Sequence, residues 1–133
     1  LADVEPVLAE ADWSVLAGAV SDLGRQRALL VLLTPLEPTA VEQGLLPVLP
    51  ALTAHHRVVV ASVRDPELDR MAARRDTVDA VYDAAAAEHA LQRRADTADL
   101  LRALGVHVVD ADAERLPPAL ADHYLALKSQ GLL

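Results

Sequence analysis

The sequence predicts a single α/β domain built on a three-stranded parallel sheet flanked by helices. Three apolar runs have the length of buried strands: 28–34 (ALLVLLT), 57–63 (RVVVASV) and 106–110 (VHVVD). Helix-forming segments separate the runs, and the connections are short. Alternating helices and buried strands indicate parallel pairing with right-handed crossovers. We therefore expect residues 1–133 to form one domain, with 1–11 as a lead segment.

The first helix is predicted over 13–23. Asp12 can cap it, apolar residues recur at helical spacing within it, and Gly24 can end it. The first strand follows at 28–34. Because this run is apolar without interruption, we expect helices to cover both of its faces.

The second helix is predicted from Thr39, which can cap it, to about Ala54. Pro47 and Pro50 lie inside this segment, and proline removes a helical hydrogen bond, so a kink or a break is expected. The β-branched run 57–63 then gives the second strand.

The rest of the chain is predicted to form three helices and one strand. A short helix is expected at 66–73 and one long helix at 77–104, which Gly105 can end. The third strand is predicted at 106–110. The last helix is predicted at 117–129, because proline is tolerated at a helix start.

The first strand raises the question of what covers its outer edge. It is uncharged, and no further strand is predicted to pair with it. We expect two copies to join strands 28–34 antiparallel, which gives a six-stranded sheet and a homodimer. The alternative is that helix 13–23 folds over the edge and keeps the chain monomeric.

Composition excludes several functional classes. Residues are 53% hydrophobic and 24% charged, as in soluble globular proteins. Without cysteine there is no disulfide, thiolate zinc site or thiol nucleophile. A net charge of −8 opposes a phosphate backbone, so no nucleic-acid partner is expected.

Hydropathy predicts no contact of this segment with a membrane. No apolar run reaches the roughly 18 residues that a span requires. No basic segment followed by an apolar one marks a signal peptide. The expected location is cytoplasmic, or else the chain is the soluble part of a membrane-anchored protein.

Motifs for cofactor and metal chemistry are missing. The sequence contains no GxGxxG, GxxxxGK[ST], GxSxG, HxH or HExxH. Two acidic stretches, 65–69 and 110–114, resemble the start of a calcium loop but lack its sixth-position glycine and twelfth-position glutamate. We expect their carboxylates at turns and helix starts. The sequence therefore predicts no cofactor, no metal site and no catalytic residue.

Several stretches together resemble a known family. RALLVLLTPLEP, HHRVVVASVRDPELDRMA and LADHYLALKSQGLL are similar to the C-terminal half of the bacterial domain-of-unknown-function family fifty-eight. The resemblance covers 12–133 and implies the second half of a von Willebrand factor type A-like, Rossmann-like domain. Members of that family accompany MoxR-type AAA+ ATPases, so the resemblance implies such an ATPase as partner.

The resemblance also implies a metal-ion-dependent adhesion site that has lost its ligands. In the complete fold, an Asp-x-Ser-x-Ser turn supplies most ligands, and this chain lacks it. The carboxylate expected after the fourth strand aligns with Pro35. Thr34 and Glu37 alone do not make an octahedral oxygen site.

The function expected from these observations is that of a non-catalytic protein-interaction domain. Its partner contacts are predicted in the loops that follow the strands, at Thr34, Glu37, Arg64, Asp65, Asp110 and Asp112. The alternative is a small-molecule enzyme of another doubly wound α/β class, which would use Asp65, Asp110 or a histidine as acid or base.

Overall fold

The computed structural model describes residues 13–24 and 26–133. The elements, in chain order, are α1 (Trp13–Ser21), β1 (Leu29–Leu33), α2 (Pro38–Ala40), a π-helical turn (Val41–Leu45), α3 (Leu46–Thr53), β2 (Arg57–Val63), α4 (Pro66–Ala73), α5 (Val78–Ala103), β3 (His107–Ala111) and α6 (Leu116–Ser129). The predicted lead segment 1–11 and the Asp12 cap lie outside the described residues.

The predicted fold class is confirmed. The described strands form one parallel sheet in the order β1-β2-β3. Leu29 lies opposite Arg57, and Val59 lies opposite His107. Each strand begins and ends within one residue of its predicted position, because continuous apolar runs between turn residues define strands well.

The long helix is also confirmed as one element. The Thr77 side chain accepts a hydrogen bond from the Ala80 N–H at 3.0 Å and so caps α5. After α5 the chain turns at Gly105, whose φ of 88° is readily adopted only by glycine.

The helix predicted at 39–54 is interrupted, and the interruption lies before the prolines. Val41–Leu45 forms a π turn, closed by the Leu46 N–H donating to the Val41 carbonyl. In a regular helix the Pro47 ring would press on the carbonyl four residues earlier, and the wider turn gives it room. Val41 and Leu45 are fully buried, so the turn keeps its contacts with the core.

One face of the sheet, the core face, carries the main hydrophobic core. Leu32, Val58, Val60 and Val108 lie on it and are all buried. They pack in one cluster with side chains from both crossovers and from α1, including Leu45, Leu49, Leu52, Leu101 and Val20. Both crossovers therefore cover the same face, as strands added in one direction with one crossover hand require.

The opposite face, the α6 face, is covered unevenly. His123 of α6 stacks on His107 of β3, so α6 lies over the third strand. On the central strand, Val59 is fully buried, whereas on β1 Val31 is 40% and Leu33 is 69% exposed. The expectation that helices cover both faces of the first strand was therefore wrong. The cause is the strand order, which puts α6 two strands away from β1.

Helix α1 packs on α3 and contributes Val20 to the core. Within 13–24 and 26–133, no helix is both long and apolar enough to cross a membrane.

Candidate functional site

A polar cluster occupies the carboxyl end of the sheet, where parallel α/β sheets usually bind ligands. Arg94 of α5 donates from Nε to Asp110 Oδ2 at 3.2 Å and from Nη2 to Ser62 Oγ at 3.0 Å, and Nη2 also bonds to Asp110 Oδ1. The Arg94 and Asp110 side chains are only 17% and 16% exposed. Since Ser62 and Asp110 are paired across β2 and β3, this arginine fastens α5 to both strands.

A cleft of about 280 Å³ opens beside the cluster. Its charged lining residues are Arg64, Arg70, Arg115, Asp69, Asp110 and Asp112. Arg64 lies 3.5 Å from Asp69 and 3.9 Å from Asp110, and Arg115 lies 3.6 Å from Asp112. Positive and negative charges thus pair with one another inside this carboxyl-end cleft.

The structure brings three of the predicted contact residues, Arg64, Asp110 and Asp112, together in this cleft. Asp65 follows Arg64 and caps α4 by accepting from the Glu67 N–H at 2.9 Å. Asp112 Oδ1 accepts from two backbone N–H groups just before α6, at 3.1 and 2.9 Å. These carboxylates therefore hold local backbone, as helix-start residues do.

Thr34 and Glu37 do not line the cleft. Thr34 is buried, and its hydroxyl donates to the Pro35 carbonyl at 3.5 Å. Glu37 is exposed and makes no capping hydrogen bond to α2. Across the part of the chain that the structure describes, no three histidine or acidic side chains converge as metal ligands.

The histidines fall into two settings. His107 and His123 stack with ring centroids 3.8 Å apart and planes 3° from parallel. Burial lowers the pKa of both, and the neighbouring His123 and Arg102 lower the pKa of His107 further. His56 lies in the turn before β2, where its Nδ1 accepts from the Ala28 N–H at 3.0 Å. Burial and the neighbouring His55 lower its pKa.

Two features escaped sequence reasoning. One is the exposure of Val31 and Leu33, because an apolar run does not reveal which face a helix will cover. The other is a cleft of about 240 Å³ at the amino end of the sheet, lined by Arg27 and Arg57 among others. These arginines line one cleft because the strand register sets Leu29 opposite Arg57, and aligning the two apolar runs could have shown that register.

Comparison with known proteins gave no similarity: no family model matches the chain, nor does any curated protein or solved structure. The family resemblance drawn from the sequence therefore stays a prediction.

Proposed function

We propose that this chain is a non-catalytic protein-interaction domain that pairs with other chains through the outer edge of β1. The observation that carries the proposal is the open edge itself: among the described strands, β1 has a neighbour on one side only. The side chains beside this edge are apolar and exposed, with Leu33 at 69% and Val31 at 40%.

The backbone groups of β1 alternate in direction, which identifies those available to a partner. The Thr34 N–H donates to Ala61 at 3.1 Å, and the Ala28 carbonyl accepts from Arg57 at 3.0 Å. The even-numbered residues of 28–34 therefore direct their backbone groups at β2. Leu29, Val31 and Leu33 direct theirs outward, where a further strand can bind.

The sequence of β1 lacks two of the features that usually prevent strand addition, a charge and a proline. Proteins protect open edges with charges, prolines or bulges, and the sequence LLVLL of β1 has no charge and no proline. Pro35 occupies the next outward position and has no N–H, so pairing would stop there. The edge available to a partner is short and apolar.

A second copy of the chain can occupy this edge. Antiparallel pairing about a two-fold axis at Val31 places Leu29 of each copy opposite Leu33 of the other, which matches the outward N–H and C=O groups. The result is a homodimer through strand 28–34 with a continuous six-stranded sheet. Each copy carries a net charge of −8, and this like charge opposes association. The dimer should therefore dissociate less as the salt concentration rises.

The resemblance to family fifty-eight supports a MoxR-type AAA+ ATPase as the other partner, with contacts at Arg64, Asp65 and the neighbouring loop residues. In this proposal the turn after β1 is a degenerate metal site. Thr34 is buried and its hydroxyl donates to the Pro35 carbonyl, whereas Glu37 stands at the start of α2 and makes no capping hydrogen bond. The enzyme alternative is less well supported, because Asp110 and Asp65 already accept hydrogen bonds from the protein.

Light scattering tests the edge directly, with Val31→Pro as the decisive variant. Proline at position 31 removes an outward N–H, whereas at position 32 it would break the bond to β2. We expect a dimer at tens of micromolar chain and a monomer for Val31→Pro with unchanged circular dichroism. As a control, Leu125→Lys replaces a leucine of α6 that is 60% exposed, and this variant should stay dimeric.

A monomeric parent chain would refute the homodimer, and a dimeric, folded Val31→Pro would place the interface elsewhere. Pull-down with a purified MoxR-type ATPase is the second arm. For that arm, Arg64→Gln and Asp65→Asn are suited because Asn still caps a helix. Unchanged capture by both variants would exclude these residues from the ATPase contact.

A further inference from the structure

The cleft at the amino end of the sheet, here called the amino-end cleft, brings two arginines and two histidines together. Arg27 comes just before β1 and Arg57 begins β2, and the register of these strands places both residues at the amino end of the sheet. His55 and His56 form the turn that leads into Arg57. The cleft, of about 240 Å³, suits a small group and is below the size of a drug-sized ligand site.

The charge of the amino-end cleft is unbalanced. None of the described residues that line it carries a carboxylate. Neither Arg27 nor Arg57 forms an ion pair with any residue in 13–24 or 26–133. The arginines of the carboxyl-end cleft, by contrast, all have acidic partners.

His56 adds a fixed hydrogen-bond donor. Because its Nδ1 accepts from the Ala28 N–H, the neutral ring carries its proton on Nε2. No side-chain nitrogen in the described residues is both buried and without a partner, so this Nε2–H is reached by solvent. The residue as a whole is only 8% exposed, and it lines the cleft. The donor is therefore held in place before any ligand arrives.

We infer that the amino-end cleft binds an oxyanion, a phosphate or carboxylate group held by Arg27 and Arg57 with the His56 Nε2–H as a third donor. Guanidinium groups recognise such anions through paired hydrogen bonds. The carboxyl-terminal end of α3 also borders the cleft, and its carbonyl groups oppose an anion. The site should therefore bind weakly to a free ion and depend strongly on both arginines.

Nuclear magnetic resonance titration with inorganic phosphate at constant ionic strength tests the site. We expect saturable shifts of the Arg27 and Arg57 Nε–H and His56 ring signals, and a rise in the pKa of His56 on saturation. Arg27→Gln and Arg57→Gln should each raise the dissociation constant about tenfold or more, the loss expected for a charge-assisted hydrogen bond. Arg57→Lys, which keeps the charge, should retain more affinity than Arg57→Gln.

Arg93→Gln is the matched control, because Arg93 is exposed on α5 and makes no ion pair with the described residues. It should leave phosphate binding unchanged. Acetate in place of phosphate decides which oxyanion the cleft prefers. Shifts that rise linearly without saturation, or a dissociation constant unchanged in both glutamine variants, would overturn the inference. Either result leaves the β1-edge proposal untouched, because oligomeric state is measured separately.

Discussion

The two faces of the sheet are formed by alternate residues of the same strands, yet they differ in how completely they are covered. On the core face, Leu32 of β1 is 6% exposed. Its neighbour Leu33, on the α6 face, is 69% exposed. Both are leucines in one five-residue strand, so residue type does not decide burial here. The path of the helices decides it, since both crossovers return over the core face.

The largest expected effect comes from a pair of matched leucine truncations. Leu101→Ala removes a fully buried side chain of α5 that packs on the core face, and it should lower the free energy of unfolding by about 3 kcal/mol because a cavity remains. Leu33→Ala on the α6 face should change it by less than about 0.5 kcal/mol. Urea denaturation at low chain concentration measures both. Equal losses would mean that Leu33 is covered in solution.

A smaller effect is expected at the polar end of the core face. Arg94→Met leaves the largely buried Asp110 carboxylate with only Arg64 nearby, at 3.9 Å, and should cost about 2 kcal/mol. Combining it with Asp110→Leu should recover more than half of that loss, because the stranded charge is removed. The neighbouring Arg93→Met should have almost no effect on the urea midpoint. A double variant as unstable as Arg94→Met would show that packing, not charge, is responsible.

The smallest effect should distinguish the faces by pH. Folding lowers the pKa of His107 and His123 below 6.5, so the unfolded chain takes up protons first. Their contribution to stability is complete above pH 6.5 and is lost as pH falls below it. The urea midpoint should be lower at pH 5.5 than at pH 7.5.

His123→Gln should weaken this pH dependence, whereas His89→Gln, at an exposed position of α5, should not. The pKa of His56 is lowered as well, so some dependence of the urea midpoint on pH should remain in both variants. A dependence that is the same in His123→Gln and in the parent chain would assign it to groups other than the stack.

Sequence reasoning predicted the strands and the long helix because each depends on local pattern. The run 57–63 is β-branched and bounded by turn residues, and Thr77 and Gly105 mark the ends of α5. Coverage of a face is not local. Leu33 is exposed because α6 lies over β3, and the sequence of β1 contains no information about where α6 lies.

The candidate sites divide in the same way. Asp65 was recognised as a helix-start carboxylate from its neighbours, and it caps α4. The pairing of Arg94 with Asp110 joins a helix to a strand in three dimensions and was not foreseen. The same holds for Arg27 and Arg57: only the structure shows that neither has an acidic partner among residues 13–24 and 26–133.

The single direction of the three strands makes the ends of the sheet chemically unlike: one has its charges internally matched, and the other has an excess of cations. Antiparallel joining of two copies at β1 would reverse the strands of the second copy. Each rim of the six-stranded assembly would then display one charge-matched cleft and one cationic cleft, side by side across the two-fold axis. A partner that contacts both clefts of one rim would find the same pair of clefts on the other rim. The dimer would therefore be bivalent, although the two ends of the sheet differ within each single chain.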